Sequence, residues 1–286
     1  MKSMRILGLA LAAVFALFAI SAVSASAAAP EWAACAKTVV KNTGNFTDKL
    51  CSVASEPGKG KYELAVGNIG KGKGFKIKGV GQQILHNVVP EKGDIAVTCQ
   101  KLKGSAVPVA PNGEKEVKLA FKKCSVLEES VECKNVTKGT IETNALEGTL
   151  AEVEGKVGTI LQPEEPTAKG LFVTFECPGV FPKVRVLGSV FGEYTGNHNT
   201  ISKTGFGHYT VGPFLGEPFP GYTPVVNHPT EGPPNFGVLH TEAKTKETEE
   251  KYTTPENPEG WGPPGGLPSG QQGEVEVKGE ALMIHT

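Results

Sequence analysis

The segment Glu114–Lys122, with the sequence EKEVKLAFK, alternates apolar and polar side chains. In an extended chain Val117, Leu119 and Phe121 point to one face, and the other face carries Lys118, Ala120 and Lys122. A period of two residues is typical of a strand that buries one face and exposes the other. The segment therefore predicts a half-buried antiparallel strand.

The same alternation recurs along much of the chain, for example in Leu171–Cys177. Short runs rich in Val, Ile, Thr and Phe, separated by Gly and Pro, predict further strands over Lys61–Val66, Gly74–Val80, Gln83–Val89, Ile95–Leu102, Gly139–Thr143, Gly148–Val153, Val157–Leu161, Lys183–Phe191 and Glu274–Ile284. Around ten short strands with turn signals between them indicate an all-β fold, a single antiparallel β-sandwich or barrel. Helical periodicity is best in Pro30–Val40, and we expect at most one or two short helices.

After residue 27, amino-acid composition divides the chain into a β domain, a Gly/Pro-rich region and a last strand. We expect a β domain stapled by disulfides over residues 28–195, then a Gly/Pro-rich loop region over 196–272. From Gly196 to Gly270 the chain has 13 Gly and 12 Pro, which predicts an irregular insertion. Val275, Val277 and Leu282 alternate again, so residues 273–286 are expected to return to the sheet as the last strand.

Residues 1–27 have the organisation of a secretory signal peptide. Lys2 and Arg5 precede the apolar run Ile6–Ile20, and small residues follow, so that cleavage after Ala27 fits. An uncleaved N-terminal membrane anchor is the alternative. The predicted location is secreted, extracellular or in the cell envelope. Loss of Lys2 and Arg5 leaves 27 of 29 basic side chains against 30 acidic ones, a balance that argues against a nucleic-acid partner.

The chain has six cysteines, an even number that suits disulfides in an exported protein: Cys35, Cys51, Cys99, Cys124, Cys133 and Cys177. Proximity along the chain favours a Cys35–Cys51 bond and a Cys124–Cys133 bond that staples a hairpin. The remaining pair, Cys99–Cys177, would join two apolar strands inside the core. Metal binding by Cys124 and Cys133 is the competing interpretation, but the eight residues between them are a poor zinc spacing.

Catalytic motifs do not emerge from the sequence. It lacks the Gly-x-Ser-x-Gly and His-Glu-x-x-His signatures, and the Lys203-Thr204-Gly205 triplet has no Ser-x-x-Lys nucleophile to accompany it. Five of the six histidines lie in the last third at spacings that specify no geometry, so we expect them on the surface, with no metal site and no cofactor. Aromatic residues between Phe206 and Trp261 could stack on sugars, although packing of loops onto the sheet is the favoured role.

These observations favour an exported binding or structural protein of unknown ligand, with a glycan or cell-wall component as the partner class considered. Catalysis is less favoured than this binding or structural role. The alternative is a secreted hydrolase that acts on polysaccharide or cell-wall material through acidic and histidine side chains. A deep pocket that joins carboxylates with shifted pKa values would favour the enzyme, and a flat face bearing aromatic side chains would favour the binder.

Three stretches resemble a family of uncharacterised bacterial secreted proteins. They are Pro30-Glu31-Trp32 followed by Cys35, Gly44-Asn45-Phe46 running to Cys51, and Gly139–Leu150 with its Thr-Asn-Ala-Leu-Glu-Gly core. Phe175-Glu176-Cys177 and Val186–Val190 would form a later part of the same pattern. The resemblance covers about residues 30–192. It implies export and disulfide bonds, and it carries no known activity.

We predict that the exported protein begins at Ala28 and that all six cysteines are oxidised, because export places them in an oxidising compartment. Intact mass of the secreted protein, before and after reduction and alkylation, measures both features. The denatured but unreduced protein should take up no alkyl group, and the reduced protein should take up six. Reactive thiols before reduction would contradict the disulfides, and a mass that retains residues 1–27 would contradict cleavage.

Overall fold

The computed structural model describes residues 29–69, 72–89, 93–126, 131–153, 155–164, 171–196, 198–209, 239–244, 246–255 and 257–286. The predicted signal peptide and residues 210–238 of the Gly/Pro-rich region lie outside the described residues. The described strands are β1 Glu31–Lys37, β2 Tyr62–Val66, β3 Phe75–Val89, β4 Gly93–Val109, β5 Gly113–Val126, β6 Val131–Glu132, β7 Thr140–Glu142, β8 Leu146–Val153, β9 Lys156–Pro163, β10 Leu171–Cys177, β11 Phe181–Gly188, β12 Val190–Tyr194, β13 Ser202–Tyr209, β14 Leu239–Lys244 and β15 Gly262–His285. A short helix, α1, spans Lys246–Tyr252.

Eight of these strands close into an antiparallel barrel. Their order around the barrel is β15-β13-β12-β9-β8-β5-β4-β3, and β3 pairs again with β15 to complete the ring. The closing pair runs from Ser269 opposite Asn87 to Lys278 opposite Lys76. The all-β prediction is confirmed, and between its two alternatives the structure selects the barrel.

Four of the barrel strands are long enough to continue beyond it. β3, β4, β5 and β15 extend past the ring, where β14, β11 and β10 continue the sheet from the first half of β15. β6 and β7 pair with the second half of β5. These elements enclose a second apolar lobe, and one contiguous cluster of buried side chains fills both lobes.

The segment Glu114–Lys122 forms the first two thirds of β5, as its alternation predicts. Val117 and Leu119 are buried, Phe121 packs on the core, and Lys118 and Lys122 are exposed. Pro30–Val40 is not a helix, so that prediction is wrong. Its residues form β1, because the free backbone edge of β15 pairs with Glu31–Ala34 and β2 pairs on the other side. Tertiary pairing overrides the weak helical pattern.

The Gly/Pro-rich region contains more regular structure than its composition indicates. β13, β14 and α1 all lie in the described part of residues 196–272. The last strand begins at Gly262 and not at residue 273, since its first half pairs with β14 from Gly262 to Ser269. The predicted return of the chain to the sheet after this region is present in β15.

The cysteines form three disulfide bonds: Cys35–Cys51, Cys99–Cys124 and Cys133–Cys177. The predicted Cys35–Cys51 bond is present. The predicted Cys124–Cys133 and Cys99–Cys177 pairs are wrong, although the four cysteines do lie together in the buried core. Three disulfides are consistent with an extracellular or secreted protein.

Strand register explains the exchange of partners. Cys99 lies directly opposite Cys124 on β4 and β5, with the Cα atoms 4.0 Å apart, as in a close antiparallel pair. Cys133 does lie beside Cys124, and its N–H donates to the Cys124 carbonyl at 2.9 Å. Its side chain, however, bonds to Cys177 at the end of β10. Lys134 and Glu176 exchange backbone hydrogen bonds next to this bond.

No helix in the described ranges is long and apolar enough to cross a membrane.

We predict that peptides from the unreduced protein link Cys99 to Cys124 and Cys133 to Cys177. The double variant Cys99→Ala/Cys124→Ala should lose about 2–4 kcal/mol of unfolding free energy, because this bond restricts the unfolded chain. Urea unfolding without reductant measures the loss. The variant Cys35→Ala/Cys51→Ala is the matched control, in which the shorter separation of 16 residues against 25 predicts a slightly smaller loss. A peptide that joins Cys124 to Cys133 would contradict the connectivity.

Candidate ligand-binding cavity

A cavity of about 110 Å³ lies inside the barrel. Side chains from seven of the eight barrel strands, together with Trp32 of β1, line it. Most of this lining is apolar, including Ile77, Leu161 and Val277. Lys203 of β13 also lines the cavity and is exposed, so the cavity reaches the surface there. Eight-stranded barrels have an interior that side chains either fill or leave open for one small ligand.

Glu114 is one of two acidic residues that line the cavity, and the other is Glu280. Glu114 is the second residue of β5 and lies opposite Gly148 of β8. A Cβ at position 148 would come within 3.0 Å of the Glu114 carboxylate, so the glycine leaves room for this side chain. The hydroxyl of Thr159 on β9 donates to Glu114 Oε1 at 3.2 Å. The carboxylate is thereby held on the inner face of the barrel.

Burial raises the pKa of Glu114 from 4.5 to about 7, and the Thr159 hydrogen bond opposes this shift. Burial likewise raises the pKa of the Tyr209 phenol, and the charge of Glu114 raises it further. Desolvation also raises the pKa of Tyr194. Glu114 and Tyr209 are therefore close enough to interact electrostatically. Near neutral pH the Glu114 carboxyl group is therefore present in both its protonated and its ionised form.

Three aromatic rings of the cavity lie against glycines of the barrel wall. Tyr209 lies against Gly192, Tyr194 against Gly205, and Phe75 against Gly279. A Cβ on any of these glycines would approach the ring within 3.0 Å, closer than real Cβ contacts. Glycine inside a strand often marks such a close approach. The glycines thus allow large rings to approach the strand backbones closely, and space remains inside the barrel.

Trp32 supplies the fourth ring from outside the barrel. Its backbone N–H donates to the Pro111 carbonyl at 2.8 Å, and its indole N–H donates to the Gly113 carbonyl at 2.9 Å. Pro111 lies in the β4–β5 connection, and Gly113 is the first residue of β5, next to Glu114. The Trp32 and Phe75 ring centroids lie 5.6 Å apart with an interplanar angle of 56°. β1 therefore places the indole over the end of the barrel that contains Glu114.

The second lobe has a smaller cavity of about 40 Å³. Gln83 and Gln271, which are 1% and 6% exposed, line it among apolar side chains. Gln83 Nε2 donates to the Glu274 carbonyl at 3.0 Å, while Gln83 Oε1 and Gln271 Nε2 lack a hydrogen-bond partner among the described residues. The space and these polar atoms suit a buried water or two.

The predicted candidates for chemistry do not converge. Across the described ranges, no three His, Cys, Asp or Glu side chains form a group that could hold a metal ion. His86, His208 and His285 lie on different strands, and His228 falls outside the described residues. Of the aromatic residues noted between Phe206 and Trp261, Tyr209 and Trp261 are buried and Phe206 is exposed. Phe214, Phe219, Tyr222 and Phe236 belong to the part that is not described.

Sequence reasoning missed the residues of this cavity. Glu114 begins the segment whose alternation predicts a strand, but the sequence does not show where its carboxylate lies. Pairing opposite Gly148 places the carboxylate inside the barrel. The Lys-Thr-Gly triplet has no Ser-x-x-Lys nucleophile to accompany it in the sequence. In the structure all three of its residues line the cavity: Lys203, Thr204 and Gly205. Of the glycines against these rings, Gly279 alone lies in a predicted strand, so an isolated glycine was an available signal for Phe75 but not for Tyr194 or Tyr209.

No protein-family model matches the chain, and neither a curated protein nor a solved structure shows significant similarity to it. The resemblance to a family of secreted proteins remains a prediction from the motifs.

We predict that Glu114 makes the protein less stable as the pH rises. Because its pKa is raised to about 7 in the folded protein, the folded state holds a proton that the unfolded state loses near 4.5. Its contribution to stability is full below the unfolded pKa and is lost as the pH rises through about 7. The total change is at most about 3 kcal/mol.

The variant Glu114→Gln keeps the shape and removes the titration, so its unfolding free energy should vary less between about pH 5 and pH 8. At the upper end it should exceed that of the wild type. Urea unfolding across this range measures the effect. Glu152→Gln, which changes an exposed carboxylate on β8, is the matched control and should follow the wild type. Parallel profiles for the wild type and Glu114→Gln would contradict the assignment.

Proposed function

We propose that this protein is an exported binding protein that holds a small, largely apolar ligand in its barrel cavity, with a polar group of the ligand beside Glu114. Export is supported by the signal-like segment 1–27 and by the three disulfide bonds. A secreted or envelope-associated location follows from the same features. The observation that carries the proposal is the half-buried Glu114–Thr159 pair in a mostly apolar cavity.

The chemistry of the cavity suits recognition of one orientation of a ligand. Apolar walls supply binding free energy in proportion to the surface that they cover. A few polar groups then fix how the ligand lies, which is the usual composition of a small-molecule site. The half-buried Glu114 and the phenol of the buried Tyr209 supply such polar groups here. Because Glu114 follows Gly113, whose carbonyl accepts the Trp32 indole hydrogen bond, the polar part of the ligand should face Trp32.

The volume limits the ligand to a small molecule. A closed cavity of 150 Å³ is known to take benzene, which has six non-hydrogen atoms, so about 110 Å³ suits a group of about four to six such atoms. One end of a slightly longer ligand can extend through the mouth near Lys203. A sugar chain does not fit inside such a space. Of the predicted partner classes, a glycan could therefore contact only the mouth near Lys203, while the interior requires something smaller.

A secreted hydrolase is the second candidate, and one observation favours it. Glu114, with a pKa of about 7, and Glu280 line the same cavity. A carboxyl group with a pKa near the working pH is suited to general acid catalysis. The small volume argues against polysaccharide as its substrate. Conversion of a ligand to product by the wild type, and not by Glu114→Gln, would favour this candidate over simple binding.

We predict that small neutral molecules such as cyclohexanol and benzyl alcohol bind inside the barrel. Saturation-transfer NMR should detect them with the mature wild-type protein, because the cavity is apolar and open. The variant Val277→Phe fills the cavity with a ring and should abolish the signal. Val80→Phe, on an exposed position of β3, is the matched control and should bind as the wild type does.

Equal signals from the wild type and from Val277→Phe would place the binding outside the cavity. That result, or no binding by any small molecule, would contradict the proposed function. The folded state of each variant is checked by its near-ultraviolet circular dichroism, so that loss of binding is separated from loss of structure.

A further inference from the structure

We propose that the ligand of the barrel cavity is an organic cation, an amine or methylated ammonium group, held between Glu114 and the rings of Trp32, Phe75, Tyr194 and Tyr209. This inference rests on the proposed function and adds the chemical class of the ligand. The four rings and the carboxylate all line one cavity of about 110 Å³.

The rings provide the type of surface that attracts an organic cation. The face of an aromatic ring carries partial negative charge, and cages of such rings recognise quaternary ammonium groups. Tyr194, Tyr209 and Phe75 lie against glycines, so their positions are fixed by the barrel wall. The indole hydrogen bond to the Gly113 carbonyl fixes Trp32 in the same way. A cage that is rigid before binding loses little conformational entropy when a ligand enters.

Glu114 adds a counter-charge that its surroundings do not neutralise. Its hydrogen-bond partner is the neutral hydroxyl of Thr159. None of the salt bridges between described residues involves it. A carboxylate in largely apolar surroundings is stabilised by a paired positive charge, which an ammonium ligand would supply. Binding of a cation should therefore favour the ionised form of Glu114.

The remaining charged groups of the cavity do not already provide this cation. Those that titrate or carry charge are Glu114, Glu280, Lys203 and the phenols of Tyr194 and Tyr209. Lys203 is exposed at the mouth on β13. Glu280 accepts a hydrogen bond from the backbone N–H of Lys73 at 2.8 Å and contributes a second negative charge. When Glu114 is ionised, the lining carries two negative charges and one positive charge.

Choline and dimethylbutanol, its neutral isostere with carbon in place of nitrogen, test the inference because they have the same shape. Isothermal titration of the mature protein at about pH 8, where most Glu114 is ionised, should give at least about tenfold tighter binding of choline. Glu114→Gln should reduce that preference several-fold, because the rings alone then attract the cation. Tyr194→Leu should weaken choline several-fold, whereas Tyr194→Phe keeps the ring and should retain the affinity. Val277→Phe should block both probes.

The outcomes separate the two proposals. Equal affinities for choline and its isostere, both blocked by Val277→Phe, would overturn the cation inference and leave the cavity function intact. Choline binding that survives both Glu114→Gln and Val277→Phe would place the cation outside the barrel and overturn the inference as well. If neither probe binds, and neutral molecules also fail to bind, both the inference and the proposed function are wrong.

Discussion

The pairing of β3 with β15 is the contact on which the rest of the structure depends. It joins the first long strand to the last one, with Lys76 opposite Lys278 at one end and Asn87 opposite Ser269 at the other. Without this ladder the eight strands form an open sheet with two unpaired edges. Closure brings β13 and β3 to opposite sides of β15, and only then do Phe75 and Tyr209 line one cavity. The candidate site is thus a consequence of a contact between residues that lie far apart along the chain.

The interior of the barrel combines two opposite demands. A core must be packed densely to stabilise the fold, and a binding cavity must leave space. The second lobe comes closer to the first demand, since its cavity is about 40 Å³ against about 110 Å³ in the barrel, and Cys124, Cys133 and Cys177 are fully buried. The barrel itself uses glycines to bring rings onto the wall, and the space at its centre remains open. Because β3, β4, β5 and β15 run through both lobes, the dense lobe holds the open one in place.

Local alternation predicted the strands well, because a period of two records which face is buried whatever the partner strand. Val117 and Leu119 show this on β5. Partners were not predictable, because register is set by turns and by distant strands. For the same reason Cys124 bonds to Cys99 and not to its neighbour Cys133. In Pro30–Val40 the free edge of β15 decided the structure, and in Gly262–Gly270 the pairing with β14 outweighed a composition that favours loops.

Glu114 is the residue at which the sequence departs from what stability alone would favour. A glutamine at this position would keep the Thr159 contact, and an apolar side chain would suit the surrounding walls, yet the chain places an ionisable group there. Departures of this kind are expected where function requires them. The neighbouring glycine at position 148 makes room for the carboxylate, and Thr159 orients it. Several elements of the barrel therefore accommodate a group that weakens the fold near neutral pH, which is the argument for a role of Glu114 in binding.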